Sequence, residues 1–523
     1  MLATVLSATL HGLDGRVIRV EVDVAPGLPG FTIVGLADVA LQEARERVRG
    51  AIRNAGFTWP PRRITANLAP ADLRKAGSSL DLAIAIGILL GSEQVRPGGG
   101  RLALIGELSL GGEVRAVPGV LPMVAALARR GVRRVVIPAT NLGEARLVEA
   151  IESVPVASLA AAVELVRSSR MRRIAGPPPA RVDTAGAEGP VEPPPAPAWS
   201  LPVVPDLSEV RGQLEARRAL EVALAGGHGL LLIGPPGSGK TLLARTIPGL
   251  LPPLDDAAAL GATVIASASG VQPVQGLVRR PPFRSPHHTI SYAAMVGGGP
   301  RMSPGEVTLA DHGVLFLDEL PEFGRDVLEA LREPLEEGRV AIARVGRATT
   351  FPARFQLVAA MNPCPCGQAG TDPNECRCPD RVPEKYTARI SGPLRDRIDL
   401  WVTMPRVPAA AIVSGEPPEG SEAVAARIAA ARACQLGRPQ RRLNGRISGR
   451  MLRAACAMDR SAERRAVELA DIERLSGRGT ERLLRVARTI ADLAAASTVE
   501  VEHLEEAARY RSPTSLLEAR LAG

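Results

Sequence analysis

Eight residues constrain this chain more than any others: Gly234-Pro235-Pro236-Gly237-Ser238-Gly239-Lys240-Thr241. A glycine, four residues and then Gly-Lys-Thr is the pattern of a phosphate-binding loop. Such a loop needs a strand before it and a helix after it, so that backbone N–H groups and a helix N-terminus face phosphate oxygens. Both flanks are legible. Residues 229–233 (Gly-Leu-Leu-Leu-Ile) are an apolar run of strand length, and 242–245 (Leu-Leu-Ala-Arg) open a helical pattern. Lys240 can then reach the β- and γ-phosphates, and the Thr241 hydroxyl can hold Mg²⁺. Cation usage adds weight. The chain has 64 Lys plus Arg, yet lysine occurs only at Lys75, Lys240 and Lys385. A compact ammonium and a planar guanidinium are not interchangeable in a phosphate cradle, so one of three lysines at this position is informative.

A phosphate loop works with carboxylates. Residues 313–320 (Gly-Val-Leu-Phe-Leu-Asp-Glu-Leu) read as a buried strand ending in two of them. Asp318 is placed to hold the Mg²⁺ shell and Glu319 to polarise an attacking water. Residues 355–363 read as a further buried strand ending in Asn362, an amide that can orient that water or read a γ-phosphate, as a sensor 1 residue does. Between them, 325–337 reads as a helix and 339–352 as a β-hairpin turning near Val345-Gly346, with Arg344 and Arg347 beside the turn. Residues 390–400 offer Arg395 and Arg397 in a turn before a strand. The expected binding set is therefore residues 234–241 with Asp318, the metal held by Thr241 and Asp318.

At 523 residues the chain has room for two to four domains of ~150 residues. Residues 1–172 read as an α/β domain. They carry an alternating strand at 17–24, an amphipathic helix at 38–55 and a buried helix at 79–90. A strand is expected at 102–110, a helix at 118–130 and a strand at 135–138. Residues 173–204 change composition abruptly to Pro, Gly and Ala without periodicity, which is linker character. Residues 205–410 hold the phosphate-loop core, entered through an apolar helix at 214–225. Residues 411–523 are helical, with 3.6-period faces at 423–436, 462–475, 479–495 and 501–510, the last with Thr498 as its expected cap.

A net charge of +9 permits a polyanionic partner without requiring one, and an aromatic content of 2% leaves few stacking platforms for single-stranded bases. No run approaches the ~18 apolar residues of a membrane span, and the N-terminus lacks a basic leader. A cytoplasmic chain without a membrane partner is expected. Six cysteines in this length are no disulfide framework. Four of them, Cys364, Cys366, Cys376 and Cys378, fall within fifteen residues. They could complete a tetrahedral thiolate shell for Zn²⁺, although one intervening residue is tighter than the usual spacing; four reduced surface thiols is the alternative. Cys434 and Cys456 read as small core residues. The adjacent His287 and His288 point in different directions and argue against joint metal ligation.

Three stretches carry a family resemblance: Phe283-Arg284-Ser285-Pro286-His287-His288, Met361-Asn362-Pro363-Cys364-Pro365-Cys366-Gly367 and Arg485-Val486-Ala487-Arg488-Thr489-Ile490-Ala491-Asp492-Leu493. They resemble the ComM/YifB type of magnesium-chelatase-like AAA+ ATPases, and the resemblance covers nearly the whole chain. It implies a P-loop AAA+ core with a C-terminal helical lid, assembled as a ring, a hexamer. It implies Arg397 as the arginine finger and Arg478 as the sensor 2 arginine. Arg395 stands where relatives are expected to have leucine, which leaves Arg395 as an alternative finger. The hairpin at 339–352 would be the pre-sensor-1 insertion and 264–298 would hold the helix-2 insertion, both facing the pore.

In the N-terminal domain, Gly35-Leu36-Ala37-Asp38, Asn67-Leu68-Ala69-Pro70-Ala71-Asp72-Leu73 and Gly106-Glu107-Leu108-Ser109-Leu110 resemble a Lon-protease-like, S5-type fold. On that pattern Ser79 falls near the nucleophile position and Met123 at the lysine position. Methionine cannot activate a serine, so a peptidase is not expected and Ser79 reads as a helix-start residue. The activity the resemblance implies is a DNA-translocating motor, a helicase or branch-migration enzyme of recombination and natural transformation. Arg344 and Arg347 would then touch the DNA backbone without reading sequence. A protein-remodelling or chelatase-like ATPase is the rival.

Overall fold

The computed structural model describes residues 1–35, 39–70, 77–98, 102–168, 204–271, 273–299, 302–344, 347–369, 376–379, 381–413 and 417–510. Residues 173–203 of the expected linker lie outside these, as do Leu36-Ala37-Asp38 and Ala71-Asp72-Leu73 of the resemblance stretches. The chain forms two units. One comprises residues 1–203, 263–277 and 300–303, and the other 204–262, 278–299 and 304–523.

Alternation builds the first unit. Strand Asp14–Ala25 turns Ile18, Val20, Val22 and Val24 inward while Arg19 stays exposed. It pairs antiparallel with Leu2–His11 on one side and Arg63–Ala69 on the other. The seven-stranded sheet runs Gly30–Val34, Arg63–Ala69, Asp14–Ala25, Leu2–His11, Leu102–Leu104, Arg134–Pro138, Glu152–Val156. Helix Asp81–Gly91 is apolar on every face and buried along almost its whole length. Its one charge, Asp81, is held by Arg47, whose Nε donates at 2.7 Å.

Two expectations here need correction. The strand foreseen at 102–110 stops at Leu104, because Gly106 leaves the sheet to bond the helix start: its N–H donates to the Ser79 carbonyl (3.0 Å) and its carbonyl accepts from Leu82 (3.1 Å). Residues Glu107–Leu108 then pair with Val114–Arg115. Ser79 does not cap the helix, which begins at Asp81; its hydroxyl is buried and donates to the Ala8 carbonyl at 3.2 Å. Met123 is fully buried in the second apolar cluster of this unit.

The second unit is built on a five-stranded parallel sheet in the order Phe283–Arg284, Val314–Leu317, Gln356–Met361, Leu230–Ile233, Leu400–Thr403. Parallel strands are covered on both faces, which is why every residue of three of them is buried and all but Gln356 are apolar. Helix 325–337 is in fact two segments, Arg325–Ala330 and Arg332–Glu337. Pro334 lacks the N–H that would bond Ala330, and its ring crowds that carbonyl. The hairpin pairs Arg339–Arg344 with Arg347–Pro352.

The C-terminal helices Ser421–Gly437, Arg460–Ile472, Gly477–Leu493 and Val501–Arg509 pack with Leu214–Gly226 into one apolar cluster that also holds the sheet. Inside it runs a polar seam. Arg488, fully buried, pairs with Asp492 at 2.9 Å and donates to the carbonyls of Ala455, Ala496 and Ser497. Asp492 also takes Arg438 and the Asn444 amide, and Thr489 bonds both Asn444 and His228 Nε2. The last helix is capped by Glu500 rather than Thr498. Val499 is buried ahead of the helix, its N–H bonded to the Cys456 carbonyl. Cys456 is buried as expected but Cys434 is exposed.

Candidate active site

Parallel strands deliver their successors to one edge of a sheet, and ligands of open α/β sheets bind at that edge. Three neighbouring strands do so here. Leu230–Ile233 continues into the glycine loop, Val314–Leu317 into Asp318 and Glu319, and Gln356–Met361 into Asn362. The register sets Ile233 beside Met361 and Leu317 beside Ala359, so two of the strands end level and Val314–Leu317 stops two residues short of them.

Two of the loop's glycines show why no other residue fits there without change. Gly239, just ahead of helix Lys240–Arg245, has φ +92°. A Cβ on Gly234 would lie 2.3 Å from the Met404 carbonyl oxygen. Lys240 turns back into the loop: its ammonium donates to the carbonyls of Gly234 (2.7 Å) and Pro235 (2.9 Å) and to Asn362 Oδ1 (3.2 Å). Burial pushes its pKa down, against the pull of Asp318 and Glu319. Thr241 Oγ1 donates to Asp318 Oδ2 at 2.6 Å. Ser238 Oγ is buried with no hydrogen-bond partner among the described residues. This donor set, an orphan hydroxyl, a short ammonium tether and a hydroxyl–carboxylate pair, fits a magnesium nucleoside triphosphate.

Glu319 sits at φ +53°, a left-handed conformation that costs a non-glycine residue about 1–3 kcal/mol and is found chiefly at functional positions. Its carboxylate meets His288 Nδ1 at 3.0 Å. The His288 ring lies edge-on to Phe323 and 4.1 Å from that of His287. Strand Phe283–Arg284 pairs with Val314–Leu317, so the loop after one strand meets the residue after the other. Sequence reasoning set the two imidazoles pointing apart and did not foresee the meeting of His288 with Glu319. It also missed Gln213, a buried amide whose Nε2 donates to the carbonyls of Ser238 (3.1 Å) and Pro405 (2.7 Å) and so ties the glycine loop to the chain leaving strand Leu400–Thr403.

The arginines fall into two settings. Arg395 lies over the Trp401 ring at 5.6 Å. Arg397 pairs with Glu336 and lies in a field of other cations, Arg478 foremost, then Arg482, Arg332 and Arg485; burial and these charges lower its pKa. Arg478 is exposed. Arg344 and Arg347 are paired across the hairpin by backbone register, while their side chains and the turn at 345–346 lie outside the described residues. The four clustered cysteines, Cys364, Cys366, Cys376 and Cys378, bring their sulfurs within 4.8 Å of one another.

Family models for the magnesium chelatase subunit ChlI match residues 20–141 and 206–412, and its C-terminal part matches 418–511. An uncharacterized protein of Mycobacterium tuberculosis is 44% identical over 520 residues, 98% of each chain. The uncharacterized protein YifB of Escherichia coli is 42% identical over 513 residues, 97% of this chain and 96% of its own. The competence protein ComM of Haemophilus influenzae is 39% identical over 528 residues, 99% of each. The chain belongs to the ComM/YifB type of magnesium-chelatase-like proteins. For a member of this family the stretch 485–493 has a structural reading, because its Arg488 and Asp492 form a buried ion pair among the C-terminal helices. Among the described residues of this ComM/YifB-type chain, no helix is long and apolar enough to cross a membrane.

Proposed function

We propose that this chain is an ATP-driven DNA motor that works as a ring, a hexamer, with helicase or branch-migration activity in recombination or natural transformation. The observation that carries the ATPase part is the convergence of Lys240, Thr241, Asp318, Glu319 and Asn362 at one sheet edge. Residues 234–241 would cradle the triphosphate, with Thr241 and Asp318 holding Mg²⁺. Bound there, the ion would offset the negative charge of the phosphates. Glu319 would take the proton of the attacking water, and Asn362 would position that water. A structural Zn²⁺ on Cys364, Cys366, Cys376 and Cys378 completes the proposed cofactors.

The arginines support the ring. Asp318 and Glu319 act on Lys240, whereas Arg397 pairs with Glu336 and is otherwise set among arginines. A cationic cluster that answers no anion of its own phosphate loop suits a neighbouring subunit's γ-phosphate, with Arg397 as finger and Arg478 beside it as sensor 2. The stacking of Arg395 on Trp401 favours Arg397 for that role. The DNA part rests on three supports: the competence protein among the relatives, a net charge of +9, and a hairpin that pairs Arg344 with Arg347 next to its turn.

The deciding measurement is ATPase rate with forked DNA, with single-stranded DNA and with unfolded protein. Stimulation by DNA supports the motor. Stimulation by protein alone would move the assignment to the chelatase-like or remodelling rival that the family's name keeps in view. Replacing Arg344 and Arg347 together by alanine should weaken DNA binding evenly across sequences and flatten the slope of log K against log salt by about 1–2. Basal hydrolysis should persist, and sequence-dependent losses would contradict backbone contact.

A further inference from the structure

The cysteine knuckle is more than a surface loop, and its geometry can be compared with a metal site. Cys364 Sγ lies 3.3 Å from Cys366 Sγ and 3.9 Å from Cys376 Sγ, and Cys366 lies 3.7 Å from Cys376. All four sulfurs, Cys378 included, are within 4.8 Å of one another. With Zn–S bonds of about 2.3 Å, the corners of a tetrahedral thiolate shell stand about 3.8 Å apart. The measured edges cluster around that value. The Ala369 N–H donates to Cys364 Sγ at 3.3 Å, the kind of backbone support that orients a metal's ligands.

Its position gives the site a task. Strand Gln356–Met361 runs through Asn362, which holds Lys240, and two residues later reaches the buried Cys364. Gly367 closes the first pair of cysteines into a turn, its N–H bonded to the Cys364 carbonyl at 2.9 Å. It has φ +80°, and a Cβ there would stand 2.5 Å from Cδ and 2.8 Å from Cγ of Pro236. Pro236 belongs to the phosphate loop. The next residue, Gln368, accepts from Arg406 at 3.0 Å, beyond the end of strand Leu400–Thr403. The knuckle is thus wedged against the outer side of the phosphate loop.

We propose that the four thiolates hold one Zn²⁺ and that the metal-closed knuckle braces the phosphate loop, so that zinc occupancy sets nucleotide affinity. The brace acts through Gly367 on Pro236 and through Asn362 on Lys240. It rests on the ATPase reading and adds a control to it. Cys366 is exposed and Cys378 half-buried, so both can be changed without opening the core.

The test uses the full chain, with Mg²⁺ and a fluorescent N-methylanthraniloyl ATP as probe. Metal analysis of the wild type should find about one zinc per chain. Cys366→Ser/Cys378→Ser should lose the zinc and bind the probe about tenfold or more weakly, the scale on which supports around a metal act. Gly367→Ala should keep the zinc yet also weaken binding, because its methyl group displaces Pro236. Wild type without zinc, with all four thiols open to alkylation, would remove the metal. Zinc loss with probe affinity within twofold of wild type would remove the brace. If the cysteine variant fails to fold, Gly367→Ala decides: zinc retained with unchanged affinity overturns the coupling. Failure of the zinc-loaded wild type to bind the probe would instead sink the ATPase reading itself.

Discussion

Replacing Gln213 by methionine should cripple nucleotide binding although the residue is out of reach of any phosphate. Methionine has nearly the same length and volume but no donor. The change strips one hydrogen bond from the Ser238 carbonyl and one from the Pro405 carbonyl, the former fully buried. A buried carbonyl left unpaired costs about 1–3 kcal/mol. The Ser238 carbonyl alone therefore carries about 1–3 kcal/mol, which falls on the conformation of the glycine loop. At 1.4 kcal/mol per tenfold, even the lower bound corresponds to about fivefold weaker nucleotide binding. The assay is titration with the fluorescent ATP analogue, run beside a thermal melt of the same protein. A variant that melts early but binds with unchanged affinity would show that Gln213 holds the fold without ordering the loop. Unchanged melting and affinity together would refute the energetic reasoning.

Lys240→Ala should abolish nucleotide binding or turnover, whereas Glu319→Gln should bind ATP and stall; normal turnover in the latter would put the base elsewhere. Arg397→Ala should bind ATP without hydrolysing it, and mixing it with Glu319→Gln protein under subunit exchange should restore some activity at interfaces where both groups are intact. Full activity of a strictly monomeric preparation would end the ring assignment. In the first unit, burial pushes the Asp81 carboxyl up to about 6 while Arg47 pulls it down. Its folded pKa lies above the unfolded value, so ionised Asp81 opposes folding, and that opposition is relieved as pH falls through about 6. Arg47→Ala should therefore cost about 3–5 kcal/mol at pH 8 and markedly less at pH 5. A urea midpoint shift independent of pH would refute this.

The phosphate loop, the Asp318–Glu319 strand and the Asn362 strand were legible because each is a short local pattern whose meaning depends on immediate neighbours. What brings them together is strand order, and strand order is where local reading stops. Gln213 meets carbonyls 25 and 192 residues away, and His288 meets Glu319 across a parallel pair. Neither residue carries a local sign of its partner. The helix break before Pro334 was a different kind of miss, since the proline was in view and its missing N–H predicts the interruption. The early end of the strand at Leu104 depended on a helix start some twenty residues upstream. Arg488 and Asp492 read as family signature, and only packing shows them to be a buried ion pair.

That buried pair also has a mechanical side. Helix Gly477–Leu493 is pinned in its C-terminal half: Thr489 bonds His228 in the turn after helix Leu214–Gly226, which leads into the phosphate-loop strand, and Thr489 and Asp492 both bond Asn444. Unfastening it would leave several charges and amides unpaired in an apolar interior, so any tilt of the helix would turn about that anchor. At 1.5 Å per residue, Arg478 stands about 15 Å from the fulcrum at Arg488. A tilt of about four degrees at the anchor then moves the Arg478 end by about 1 Å, enough on this leverage to make or break a hydrogen bond at its tip.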